Sequence, residues 1–216
     1  MAAERTIMIV GNGRVPDGAP EAIDVADVVI RFNDCRSFGI AGRKTDVIAV
    51  CNTGRPALSM LGGGAWKASA AVRQASEFWC VRDPAKFAAM RKPLSASNPE
   101  LDDFCDDYTD GFASFASATG RPMRIIPADV HDELDRALDA MGAQPYVVPS
   151  SGAVVIADVL GSYARPQDTV VIAGFSHEGW QWHPFAAEKL WTDDLVRAGR
   201  LRRPAYEPLV SASQGA

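Results

Sequence analysis

The chain has no apolar run near the ~20 residues that a membrane-crossing helix needs, so no span is expected. Its N-terminus, Met1-Ala2-Ala3-Glu4-Arg5, leads into a strand-like segment without a signal-peptide pattern. Cysteine is sparse. Cys35, Cys51, Cys80 and Cys105 stand 16, 29 and 25 residues apart, which suits neither a zinc knuckle nor a C-x-x-C redox pair. Free thiols in a cytoplasmic protein are the expectation, with Cys51 and Cys80 in the core. Long basic runs are also missing. The 22 Lys and Arg residues against 27 Asp and Glu leave a net charge of −5, which argues against a nucleic-acid backbone as partner. Arg200-x-Arg202-Arg203 is too short to change that and reads as a surface rim.

The 216 residues are 47% hydrophobic and 23% charged, ordinary values for a globular enzyme. They suffice for one well-buried α/β domain, taken as residues 1–208, with a small polar tail at 209–216 that frays. Apolar runs of strand length occur at Thr6–Val10, Val28–Phe32, Asp46–Cys51, Phe78–Val81, Arg124–Ile126 and Thr169–Ala173. Helix-like stretches lie between them at Trp66–Ser76, Pro84–Arg91, Pro99–Ala118, Asp129–Met141, Gly152–Tyr163 and His183–Ala198, with Gly142 and Gly199 as helix stops. This alternation predicts a mainly parallel sheet covered by helices on both faces. Gly62-Gly63-Gly64 reads as a mobile loop or a close backbone approach, and Pro93–Pro99 as a surface loop. Glu100–Asp110 carries six acidic residues. A solvated helix face is favoured there over a metal site, which would need ligands converging from elsewhere.

Three segments carry chemistry. Gly11-Asn12-Gly13 ends the first strand but does not complete G-x-G-x-x-G, because Val15-Pro16-Asp17-Gly18 follows. Asn33, not an acidic residue, ends the second strand. Two amides at adjacent strand ends can hold a phosphate and a base or ribose without adding charge, or can simply cap turns. Pro149-Ser150-Ser151-Gly152 opens an apolar helix, where free N–H groups attract anions; an ordinary serine N-cap is the plain alternative. His177 and His183 are two of only three histidines and fall beside Trp180 and Trp182. A histidine at the mouth of a sheet can act as a general base; otherwise His183 caps a helix and His177 is a loop residue. Glu188, five residues after His183, is too far for simple i,i+4 pairing and can brace the helix start or orient a neighbour. His131, within the acidic run Asp129–Asp135, is expected on a helix surface.

In order and spacing these residues resemble the sialyltransferases of glycosyltransferase family 29. The long motif of that family is matched by Val10-Gly11-Asn12-Gly13, Ile23-Asp24, Arg31-Phe32-Asn33, Gly39 and Gly42-Arg43-Lys44-Thr45-Asp46. The small motif is matched by Pro149–Gly152 through Gly174-Phe175, and the terminal H-x4-E motif by His183 and Glu188. The match covers both ends of the chain and hardly touches residues 55–145. The resemblance implies a Rossmann-like, GT-A-type three-layer domain. It also implies CMP contacts at Asn12 and Asn33, a nucleotide held by Ser150, Ser151 and Gly152, and His183 as general base, with His177 beside the phosphate. It implies inverting transfer without a metal or other cofactor, from a CMP-activated sugar to a hydroxyl acceptor that is a glycan or a small molecule.

The chain also departs from that family. No cysteine follows Cys105, so the disulfide of the animal members has no counterpart. The family's aromatic and histidine motif is reduced to His177-Glu178-Gly179-Trp180, and the chain is short for an acceptor-binding lid. Short bacterial proteins of this appearance are sometimes labelled urease-operon accessory proteins, which reports gene neighbourhood. The favoured expectation is therefore a cytoplasmic, sialyltransferase-like glycosyltransferase. Its alternative is a non-catalytic nucleotide-binding or accessory protein on the same fold. A nicotinamide oxidoreductase is disfavoured by the incomplete glycine fingerprint and the absent ribose carboxylate.

Overall fold

The computed structural model describes residues 3–204; the expected tail at 209–216 lies outside the described residues. Six strands form one parallel sheet. They are β1 (Thr6–Val10), β2 (Val28–Phe32), β3 (Val47–Val50), β4 (Glu77–Cys80), β5 (Met123–Ile125) and β6 (Thr169–Ala173), in the order β5-β4-β3-β2-β1-β6. These are short, continuous apolar runs because both faces of a parallel sheet are covered. Alternate residues go to opposite faces. Ile7, Ile9, Ile30, Ala49 and Trp79 pack under α7 (Ala128–Ala140), α8 (Ser151–Asp158) and α9 (Phe185–Arg197). Ile48, Val50, Phe78 and Cys80 pack on the other side, against α2 (Gly54–Leu61), α3 (Ala65–Ala68), α4 (Ala70–Gln74) and α6 (Thr109–Ala118). Met8, Val10 and Val29 extend that second face over α1 (Ala19–Asp24), which contributes Ile23. The result is the expected α/β three-layer architecture with a parallel sheet.

Chain order runs from β1 outward to β5 and then jumps back across β1 to β6. The order therefore reverses between β1 and β6, and a crevice opens there beyond the carboxyl ends of the strands, where ligands bind in such sheets. Much of the rest of the long motif braces the link between β2 and β3. Asp24 Oδ1 accepts from the backbone N–H groups of Arg43 (2.6 Å) and Lys44 (2.8 Å). Gly42, at φ +72°, packs so close to that carboxylate that a Cβ would lie 2.6 Å from it. The fully buried Arg31 donates to the carbonyls of Ala41 (2.8 Å) and Lys44 (3.0 Å) and to Thr45 Oγ1 (3.1 Å).

Several local expectations are corrected. The segment Trp66–Ser76 is two helices, because Ser69 is extended and caps α4 by accepting from Val72 N at 3.3 Å. The helix starting at Pro84 (α5, Pro84–Ser97) does not stop before Pro93 but runs through it, so 93–99 is not a loop. Leu94 is buried, and Ser95 and Ser97 bond back to the carbonyls of Arg91 and Pro93, which holds the helix past the missing proline N–H. The expected helix at Pro99–Ala118 begins only at Thr109. The acidic stretch before it forms a 3-10 turn and loops, in which Asp103 pairs with Arg55, Asp106 with Arg91, and Asp107 accepts from Thr109. Gly62–Gly64 is a tight α2–α3 link, and Gly63 and Gly64 have positive φ and nothing within 4 Å of a notional Cβ, so no close approach occurs at those two. His131 is not on a surface: it is 1% exposed, with Nε2 2.8 Å from Val81 O, and burial lowers its pKa to about 4.

Candidate functional site

A cleft of about 620 Å3 lies at the β1/β6 crevice. Gly11, Asn12, Gly13, Asn33, Ser150, Ser151, Gly152, His177, His183 and Glu188, all singled out in the sequence, line it. Phe32, Arg36, Phe175 and Trp180 complete much of the wall.

The glycines at 11 and 13 join two loops. Gly11 N donates to Ala173 O and Gly13 N to Gly174 O, each at 2.8 Å. A Cβ on Gly11 would overlap Gly174 O, and one on Gly13 would lie 2.8 Å from the same atom. These glycines are thus required where β1 and β6 exit together, and the turn they make exposes Asn12 to the cleft. Asn12 Nδ2 makes a long contact with Phe32 O at 3.5 Å, while its buried Oδ1 has no partner. A buried acceptor left unpaired costs free energy unless a ligand or water meets it. Asn33 sits in the left-handed region at φ 52°, and its Oδ1 accepts from Cys51 N at 2.7 Å. It therefore ties the end of β2 to the end of β3 while lining the cleft.

Ser150 is the N-cap of α8, with Oγ accepting from Ala153 N at 3.2 Å. Its N–H and its hydroxyl both donate to Glu188, at 2.6 and 2.7 Å. Glu188 is 2% exposed; burial raises its pKa, opposed by the two Ser150 hydrogen bonds and by nearby Arg82. With Ser150 committed to Glu188, the anion-binding capacity of the turn falls to the backbone N–H groups of Ser151 and Gly152. These precede the first intrahelical bond, Val154 N to Ser150 O. Gly152 is held against Phe175, whose Cε1 a Cβ would approach to 2.5 Å.

His183 is fixed on three sides. Its Nδ1 lies 2.8 Å from Val148 O, and its ring meets Trp180 and Phe185 edge-on at 4.9 and 5.3 Å. A carbonyl only accepts, so Nδ1 carries the proton and Nε2 keeps its lone pair. Burial lowers the His183 pKa to about 4, against the pull of the Val148 hydrogen bond and helped by Arg82. His177, at φ 52°, also has its pKa lowered by burial, and its Nε2 is 3.5 Å from Thr192 Oγ1. The arrangement supplies a neutral imidazole, two backbone donors and the amide of Asn12 around one cleft, with Arg36 as an exposed cation at its rim.

Among the described residues, no group of three or more His, Cys, Asp or Glu is placed to hold a metal ion, and no helix is long and apolar enough to cross a membrane. The sequence reading missed Arg36 and Arg82. Neither stands in a distinctive pattern, and only the fold brings them to the cleft and its neighbour.

No family model matches the chain. The urease operon 23 kDa accessory protein of Rhizobium meliloti (strain 1021) is 64% identical over 203 residues, 94% of each chain. Among solved structures the chain is similar to a mammalian sialyltransferase in complex with Gal-beta-1-3GalNAc-ortho-nitrophenol, with TM-score 0.53 and 17% identity, covering 94% of this chain and 70% of that one. It is also similar to the alpha-2,3-sialyltransferase from Campylobacter jejuni in apo form, with TM-score 0.52 and 12% identity, covering 96% and 77%. At such identities the likeness concerns the fold: a Rossmann-like parallel α/β architecture shared with sialyltransferases.

Proposed function

This chain belongs to the family of the urease operon 23 kDa accessory protein, and from that premise and the cleft we propose a metal-independent, inverting glycosyltransferase of the family 29 kind that uses a CMP-activated sugar. The observation that carries the proposal is the convergence of Asn12, Asn33, the Ser151–Gly152 helix start and a neutral His183 on one cleft at the sheet's switch point. The fold likeness to sialyltransferases supports it.

The acceptor hydroxyl oxygen attacks the anomeric carbon of the donor. Its proton passes to His183 Nε2, and the bond from the anomeric carbon to the phosphate oxygen breaks as CMP leaves. The N–H groups of Ser151 and Gly152 receive the phosphate charge at the helix start, with Arg36 and His177 at its flank. A phosphate beside His183 raises the basicity that burial suppresses. Asn12 Oδ1 meets a donor on the nucleoside, which removes its unpaired state. Glu188 acts through Ser150, holding the turn in place. We place the protein in the cytoplasm, where its four buried thiols would stay reduced.

A non-catalytic accessory protein is the second reading. The name of the 64% identical relative, an accessory protein, favours it, as does the chain's match to only 70–77% of the sialyltransferases' length. The experiment is release of CMP from CMP-sugars, with and without a panel of hydroxyl acceptors. His183→Ala is expected to lower turnover by about a hundredfold or more with donor affinity nearly intact. Tight CMP binding with no release for any donor or acceptor would favour the accessory reading.

A further inference from the structure

Beside the cleft lies a second chamber of about 370 Å3, bordered by Cys51, Thr53, Pro56, Arg82, Phe104 and Trp180. Asn33, Ser151 and His183 border both spaces. Arg82 is 2% exposed and, among the described residues, forms no ion pair, although buried Glu188 lies near enough to feel its charge. Its Nη1 reaches Pro149 O at a long 3.5 Å, and its Nε has no partner. Phe87 and Phe104 lie under the guanidinium at 4.9 and 5.9 Å. Such rings stabilise the face of a cation and leave its N–H edge unmet. Thr53 Oγ1, also buried on this chamber, has no partner either. The backbone of Arg82 is clamped by Asn52, which accepts from Arg82 N at 2.8 Å and donates to Arg82 O at 2.9 Å. The rim charges Arg55 and Asp103 pair with each other at 2.6 Å, leaving Arg82 as the chamber's unpaired cation.

A buried guanidinium whose N–H donors are left unbonded is costly, and a guanidinium edge fits a carboxylate. One cation and one hydroxyl match a monoanion. The other walls are largely apolar, with the Phe104 ring stacked on Trp180 at 5.3 Å. We propose that this chamber binds a second ligand, distinct from the nucleotide, that carries a carboxylate on an apolar body. The carboxylate meets Arg82 and Thr53, and the body lies against Phe104 and Trp180. Binding of the acid stands on the chamber alone. That the acid is the acceptor, presenting a hydroxyl to His183, rests on the glycosyl-transfer reading.

The test titrates the full chain by calorimetry with 3-phenylpropionate, with the alcohol 3-phenylpropanol and with N-acetylneuraminate, each with and without saturating CMP. The expected result is saturable binding of 3-phenylpropionate, about tenfold or more tighter than the alcohol, and unchanged by CMP. Arg82→Gln should erase the preference for acid over alcohol, and Thr53→Val should reduce it. If Arg82→Gln fails to fold, the comparison of acid and alcohol on the natural protein and Thr53→Val decide. Equal binding of acid and alcohol, no saturation by the acid, or its displacement by CMP would overturn the proposal. Preference for N-acetylneuraminate over 3-phenylpropionate would assign the anion to the donor sugar and also overturn it. Acid binding without any CMP binding would leave this chamber assigned and remove the nucleotide reading of the main cleft.

Discussion

Glu188 gives the most exacting test of how the cleft is held. Its two carboxylate oxygens accept from Ser150 N and Ser150 Oγ, both at the start of α8 and away from water. Glu188→Ala leaves two donors unmet, at about 1–3 kcal/mol each, so about 2–6 kcal/mol of stability should go. Glu188→Gln keeps one acceptor oxygen and should lose about 1–3 kcal/mol. With an m-value of about 2–3 kcal/mol/M for a domain of this size, the alanine variant's urea midpoint should fall by about 0.7–3 M and the glutamine variant's by about half that. CMP affinity should fall in parallel, because the Ser151 and Gly152 N–H groups lose their brace. If the enzyme reading holds, turnover at saturating donor should change only a few-fold in Glu188→Gln, since Glu188 touches Ser150 and not the reacting atoms. Unchanged stability with collapsed turnover would refute the reasoning and put the carboxylate in the chemistry.

The two asparagines should separate stability from affinity. Asn12→Ala removes an acceptor that already lacks a partner, so unfolding should shift by less than about 1 kcal/mol while nucleotide binding weakens by about 1–3 kcal/mol. Asn33→Ala should cost about 1–3 kcal/mol of stability as well, because Cys51 N loses its acceptor; equal stability losses in both variants would contradict these roles. His131 should make stability pH-dependent. Its folded pKa of about 4 lies below the ordinary 6.5, so the unfolded chain binds its proton first and stability falls as pH drops from about 6.5 toward 4. The full loss is about 3 kcal/mol, and a pH series of urea melts on His131→Leu should show that component gone. Gly11→Ala should push β1 and β6 loops apart and cost about 2 kcal/mol or more in the same melts, whereas the cost would vanish if the loops could separate freely.

The strands and the parallel sheet were legible because a strand buried on both faces is a short apolar run, and six such runs stood apart. The cleft was legible for a related reason: small and amide residues fell at strand ends and at a helix start, where the fold gathers them. Pro93 misled, since a local rule for ending helices yields to a buried Leu94 and two serine back-bonds. His131 was read by its acidic neighbours. Yet His131, Leu134 and Leu138 stand at i, i+3 and i+7, and that stripe is the buried face of α7. The partner of Glu188 could not be found from spacing, because Ser150 lies 38 residues away and meets it only through packing of α8 and α9. Arg82 gave no sequence signal; its significance is a buried N–H edge without a hydrogen-bond partner, which only the fold reveals.

The central claim is a cytidine-nucleotide site in the β1/β6 cleft. The most direct measurement is a calorimetric titration of the purified protein with CMP, against UMP, CDP and NAD, with and without magnesium. The account predicts one saturable CMP site, insensitive to magnesium, preferred over the other ligands and weakened in Asn12→Ala. Absence of CMP binding, or equal affinity for NAD, would contradict it.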